Sequence, residues 1–257
     1  AEAVEPVTEP VEAIEPEPVE DLPYIAENVT FDNVTADGET ITLAGTLTLP
    51  PVEGQHPAVI LISGSGPSDR DESLEPIASM RPFRLISDYL TREGIAVLRY
   101  DDRGVAESTG DHFSAHSGDL ATDTEAAVRY LLGRDDINPE QIGLLGHSEG
   151  GLIATIVAAR NDDVAFMISM AGSKVRGAEI LIRQNERIML ASGMDEGEVA
   201  AEMENVTLFY ELMLAEEWDA MYEVLEEMGL SDMPPMHEDV WFNFFIRYDP
   251  TPDLEQI

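Results

Sequence analysis

Asn28 to Val34 and Glu39 to Leu49 alternate apolar and polar residues, with Ala36-Asp37-Gly38 between them. A period of two interrupted by turn residues predicts a β-hairpin, which Pro50-Pro51 closes off. The pattern then changes. Short continuous apolar runs at Ala58 to Ser63, Ile95 to Tyr100, Gln141 to Leu145 and Val164 to Met170 are separated by helical periodicity. The helical stretches are Arg84 to Glu93, Asp119 to Leu132 and Leu152 to Arg160. Strands that are apolar throughout are covered on both faces, so the class is α/β, with a mainly parallel central sheet between helices. Beyond Ala171-Gly172 the period is helical over roughly Ala178 to Ser192, Glu196 to Leu214, Glu217 to Met228 and Glu238 to Tyr248. Four consecutive helices after a sheet strand predict a helical cap over the strand ends. Met189, Met194, Met203, Met213, Met221 and Met228 either line that cap's underside or pack its own core.

This pattern divides the chain into a spacer over 1–27, a core over 28–172, the cap over 173–248 and a return toward the core over 249–257. The 257 residues, 44% of them hydrophobic, suffice for one sizeable core. No apolar run approaches the ~18 to 20 residues that cross a bilayer.

Charge narrows the partners. Fifty-two Asp and Glu against 14 Lys and Arg give a net charge of -38, and Lys174 is the single lysine. Nucleic acid is excluded as a partner, because phosphate binding needs a basic face. The acid excess reads either as a solvated surface or as a field that repels anionic substrates and admits neutral ones. With no cysteine, disulfides, thiolate zinc sites and a cysteine nucleophile are excluded. The chain starts at Ala1 without Met and runs into a Glu/Pro/Val/Ala tract to Pro23, too poor in large apolar residues to offset its ordering entropy. Its composition is that of a tether left after an export signal is removed, which predicts an extracytoplasmic protein; an arbitrary start is the alternative.

The candidate chemistry lies in Gly146-His147-Ser148-Glu149-Gly150. The apolar run ending at Leu145 precedes it and a helix of small and apolar residues follows from Gly150, so it reads as a nucleophile elbow. In such a turn the serine backbone is strained, and glycines at 146 and 150 let strand and helix approach while the Ser148 hydroxyl projects outward. The alternative is a plain strand-to-helix turn with a serine cap. A serine nucleophile needs donors for the oxyanion, and the Glu149 N–H is one. Ser63-Gly-Ser-Gly-Pro67, after the first apolar run, supplies the second through Ser65 N–H or, next, Gly66 N–H, unless it is only a structural turn. His147 is expected to brace the elbow. Asp101-Asp102-Arg103 reads as a local ion-pair and hydrogen-bond cluster that fixes its loop, with catalysis as the alternative, and Asp69-Arg70-Asp71-Glu72 as a loop brace rather than a metal site. The histidines are scattered without a His-x-x-x-His pair, so no metal site is expected.

Several motifs in one order resemble a known family. Gly64-Ser-Gly-Pro67, Asp69 to Glu72, Tyr100-Asp-Asp-Arg-Gly104, Ser108-Thr-Gly110 and Gly146 to Gly151 are similar to those of exported bacterial α/β-hydrolases of the serine aminopeptidase-like and dienelactone hydrolase-like group. The likeness runs from about Val29 to the last residue and includes Leu43 to Leu47 and the aromatic segment Trp241 to Tyr248. It implies hydrolysis of carboxylic esters without a cofactor, and leaves the substrate and the oligomeric state open. Val105-Ala106 departs from it, since relatives carry a second glycine after Arg-Gly.

In this fold the acid and then the histidine follow the serine. The histidine after Ser148 is His237, at the start of a predicted cap helix, where a cap or surface role is expected. In the resembled family a further strand, an Asp-bearing loop and a His-bearing loop follow the Asp-Pro and Leu-x-x-Ile that stand here at Asp249-Pro250 and Leu254 to Ile257. The expectation is that the last sheet strands, the catalytic Asp and the catalytic His lie beyond Ile257; the alternatives are an aminopeptidase or amidase of the same fold and a catalytically silent ligand binder.

Overall fold

The computed structural model describes residues 22–74, 80–230 and 235–257. Most of the Glu/Pro-rich tract, up to residue 21, lies outside the described residues. Strands β1 (Ile25–Val34) and β2 (Thr40–Leu49) form the expected hairpin. Ile25 to Glu27, expected in the spacer, pair with Leu49 to Leu47 instead. They do so because a ten-residue β2 offers ladder partners that far back.

The hairpin joins the sheet antiparallel to β4 (Ala96–Tyr100). From there the sheet is parallel: β4 pairs with β3 (His56–Ile62), β3 with β5 (Ile137–His147) and β5 with β6 (Phe166–Met170), in the order β1-β2-β4-β3-β5-β6. The apolar runs mark only the covered parts of these strands. In β5 the run from Ile142 is buried, whereas Pro139 to Gln141 are exposed residues that extend the strand toward its start.

Helices α1 (Pro82–Arg92), α2 (Ser117–Leu132) and α3 (Glu149–Arg160) cover the sheet. The larger core, with Leu43, Leu47, Ile60, Leu98, Leu144 and Val157 at its centre, lies between the sheet and α2 and α3. On the other face Val59, Leu61, Val97 and Leu145 pack on Phe83 of α1. Strand β6 ends the sheet among the described residues, and Phe166, Ile168 and Met170 are exposed there.

The four long helices after β6 are α4 (Gly177–Ala191), α5 (Glu196–Ala215), α6 (Trp218–Glu227) and α7 (Val240–Arg247), followed by the short α8 (Thr251–Leu254). Side-chain caps start two of them. Asp195 accepts from Gly197 N–H at 2.8 Å, and Asp239 from Phe242 N–H at 2.8 Å. These helices build a second core around Met213, Met221, Tyr210, Leu225 and Ile246. Met213 and Met221 are fully buried in it and Met189, Met203 and Met228 pack against it, so these methionines serve the helices' own packing. Met194 is exposed and lies outside that core.

Candidate functional site

The loops at the carboxyl ends of β3, β4 and β5 converge beside the start of α3. Ser148 stands between β5 and α3 with φ 52° and ψ -115°, a backbone that L residues rarely adopt. Its N–H donates to Met170 O at 2.8 Å, which ties the turn to the end of β6. The glycines beside it are required by close approach. A Cβ at Gly146 would lie 1.9 Å from Gly150 O, and one at Gly150 would lie 2.2 Å from Ile62 O. Strand, helix and the neighbouring β3 can therefore meet only through bare backbone here.

The Ser148 hydroxyl does not cap α3, and makes no hydrogen bond to any described residue. Glu149 N–H, in the first turn of α3, points out of the helix end without an intrahelical acceptor. Across from it runs the loop after β3. Gly64 faces the elbow so closely that a Cβ there would sit 3.4 Å from Ser148 Cβ and from His147 Nδ1. Gly64 N–H is committed to Glu72 Oε1 at 2.9 Å, whereas Ser65 and Gly66 N–H have no acceptor among the described residues. Gly66 takes φ 92°, a left-handed backbone that glycine adopts without strain.

Buried carboxylates hold that loop. Asp102, at the end of β4, accepts from Ser63 Oγ at 2.9 Å and from Ser68 N–H at 3.0 Å, bracketing the loop at both ends. Burial, the largest influence, pushes Asp102 up to about 7; the two hydrogen bonds oppose it, and the nearby Asp123 and Glu149 carboxylates add to it. Asp101 binds the Arg70 side chain at 2.5 Å and Arg70 N–H at 2.8 Å. Arg103 forks onto Asp123 at 2.7 and 2.9 Å. Asp101, Asp102 and Arg103 thus brace loops, but with partners far along the chain rather than with one another. Arg99 pairs with Asp71 in the same way.

Two side chains of the elbow reach further than the sequence indicates. His147 Nδ1 lies 2.7 Å from Glu72 Oε1, the oxygen that also receives Gly64 N–H. Glu149 is buried, and its Oε1 accepts from Ser117 Oγ at 2.6 Å and from Trp241 Nε1 at 2.8 Å. Glu72 was legible only as part of an acidic loop brace and Trp241 only as one of several aromatics. Nothing in the spacing of either announces its partner.

The structure places no described histidine on Ser148. His237 sits in a 3-10 turn (Met236–Glu238) against Tyr222, with its Nδ1 3.0 Å from the phenol oxygen. His116 caps α2 and stacks on Phe244 at 4.3 Å. His56 bonds Val52 O. Among the described residues there is no group of three or more His, Asp or Glu suited to a metal, and no helix long and apolar enough to cross a membrane.

The model of the serine aminopeptidase S33 family matches residues 78–192, a stretch that contains the elbow. Esterase EstD of Thermotoga maritima is 30% identical over 180 residues, 68% of this chain and 42% of that protein. Putative hydrolase YtaP of Bacillus subtilis is 31% identical over 131 residues, 46% of this chain and 44% of that one. The chain thus spans less than half the length of these curated relatives. Among solved structures, the α/β hydrolase GrgF from a Penicillium species superposes with a TM-score of 0.51 at 21% identity, over 87% of this chain and 74% of that chain. A hypothetical protein of Pseudomonas aeruginosa gives 0.51 at 22% identity, over 68% and 56%. At such identities the likeness is one of fold.

Proposed function

We propose that this chain, which belongs to the α/β-hydrolases, carries the nucleophile of a serine esterase. Ser148 Oγ attacks the carbonyl carbon of a neutral carboxylic ester, giving up its proton to a general base as the Oγ–C bond forms. The oxyanion is received by Glu149 N–H and by Ser65 or Gly66 N–H, and the alcohol departs with a proton as the acyl-serine forms. Water then releases the acid. The observation that carries this reading is the Ser148 backbone, held at φ 52° on a strand-to-helix turn with its hydroxyl uncommitted. A serine that merely capped the helix would spend its oxygen on a first-turn N–H.

The general base and its acid partner are not among the described contacts of Ser148, and we assign them to protein outside the described residues. Helices α4 to α7 act as the cap over the site. The acidic surface favours uncharged substrates, since a field of this sign repels anions. The name of the Thermotoga relative supports ester hydrolysis, and that of the family model supports aminopeptidase activity as the nearest rival. The composition of Ala1 to Pro23 supports an extracytoplasmic location, which cell fractionation would check.

The unpaired Ser148 also favours a second reading, a silent ligand-binding protein. A fluorophosphonate probe, applied to the whole protein with the part that supplies the general base, separates the two. Rapid labelling of the wild type and none of Ser148→Ala marks an activated serine, and no labelling of either leaves the silent binder. Panels of chromogenic esters and aminoacyl anilides, run on the same pair, then decide between esterase and aminopeptidase.

A further inference from the structure

We propose that Glu72 is a positioning residue for the Ser148 centre, setting the distance between the glycine loop after β3 and the elbow through one carboxylate oxygen. This rests on the reading of Ser148 as nucleophile. Glu72 Oε1 accepts from Gly64 N–H at 2.9 Å and lies 2.7 Å from His147 Nδ1. A carboxylate oxygen in that pair can only accept, so His147 carries its proton on Nδ1. One oxygen therefore joins the residue before Ser65 and Gly66 to the residue before Ser148. These are the two segments whose N–H groups must close on a single substrate oxygen.

The loop and the elbow lie side by side here, within ordinary van der Waals reach of one added carbon. The point where a Gly64 Cβ would stand is 3.4 Å from Glu72 Oε1, from His147 Nδ1 and from Ser148 Cβ alike. The local chain is shaped to deliver this carboxylate. Asp69 Oδ1 accepts from Asp71 and Ser73 N–H at 3.0 Å each, and Glu72 N–H donates to Asp69 O at 2.9 Å. That turn holds Glu72 at φ 51° and buries it to 7% exposure. A left-handed backbone and a buried carboxylate are both unfavourable, and they persist together only where the surroundings enforce them. Oxyanion donors act over ~2.7 to 3.1 Å, so a link that fixes the separation of their two segments acts on the transition state rather than on substrate binding.

The test compares fluorophosphonate labelling of Ser148 in the whole protein, including the part that supplies the general base, as wild type, Glu72→Ala, Glu72→Asp and Glu72→Gln, with maximal rate and half-saturating concentration measured separately. Glutamine keeps an acceptor of the same reach, and aspartate falls short by one methylene. The expected result is a maximal labelling rate lowered about 100-fold in Glu72→Ala and Glu72→Asp, with half-saturation little changed and most of the rate restored in Glu72→Gln. If Glu72→Ala does not fold, Glu72→Asp against Glu72→Gln decides. Wild-type rates in the folded variants overturn this proposal and leave the nucleophile reading standing. A wild type that never labels overturns both.

Discussion

Trp241 Nε1 donates to Glu149 Oε1 at 2.8 Å, joining helix α7 to the residue directly after Ser148 across 92 positions of sequence. Ser117 Oγ is the other donor to the same buried oxygen. Replacing Trp241 with Phe keeps an aromatic ring facing Phe245, with which the indole stacks at 5.4 Å, and removes only the N–H. A buried carboxylate deprived of a donor costs on the order of 1 to 3 kcal/mol. Urea unfolding of Trp241→Phe should show a loss of that size. An unchanged midpoint and slope would mean that the bond contributes nothing.

Asp102 makes stability depend on pH in the direction opposite to the paired surface carboxylates. Its carboxyl is pushed up to about 7 from an ordinary value of 3.8, mainly by burial. Between those values the folded protein holds a proton that the unfolded chain has released, so this group's contribution to stability falls as pH rises and levels off above about 7. Asparagine can accept from Ser68 N–H and donate to Ser63 Oγ without titrating. The stability of the wild type minus that of Asp102→Asn, from denaturant titrations between pH 5 and 9, should therefore decline up to about pH 7 and then stay flat. A difference independent of pH would place the Asp102 carboxyl in its ordinary range.

Ala106 occupies the position where the resembled hydrolases carry glycine, and it takes φ 47° all the same. Ala106 is exposed, so Ala106→Gly removes left-handed strain without opening a cavity. Relief of strain, at about 1 to 2 kcal/mol, is partly offset by the greater freedom of glycine in the unfolded chain. A net gain of about 0.5 to 1 kcal/mol in unfolding free energy is expected. A loss would show that the alanine is not strained there.

Order along the chain was legible wherever it depends on local period. Strands β3, β4 and β5 answer to continuous apolar runs, because a strand covered on both faces has no polar side to show, whereas β6 keeps an apolar run although its side chains are mostly exposed at the edge of the described sheet. The helices from α4 to α7 answer to helical period within a few residues at each end. The turn at Ser148 was legible for a related reason, since Gly146 and Gly150 stand where no Cβ fits.

The residues that set the site's shape were not legible in this way. Glu72 meets His147 across 75 positions, Asp102 meets Ser63 across 39 and Trp241 meets Glu149 across 92. Periodicity says which face of an element is buried, and it carries no information about which polar group stands opposite once strands and loops converge. The amino-acid sequence by itself determined the elements, their α/β order and the serine turn, all of which follow from local sterics and burial. Only the tertiary structure decided that Gly64 N–H belongs to Glu72 while Ser65 and Gly66 N–H stay unbound, and that Glu149 is held by Ser117 of α2 and Trp241 of α7. Those pairings arise when desolvated charges take whatever donors the packed chain brings within about 3 Å.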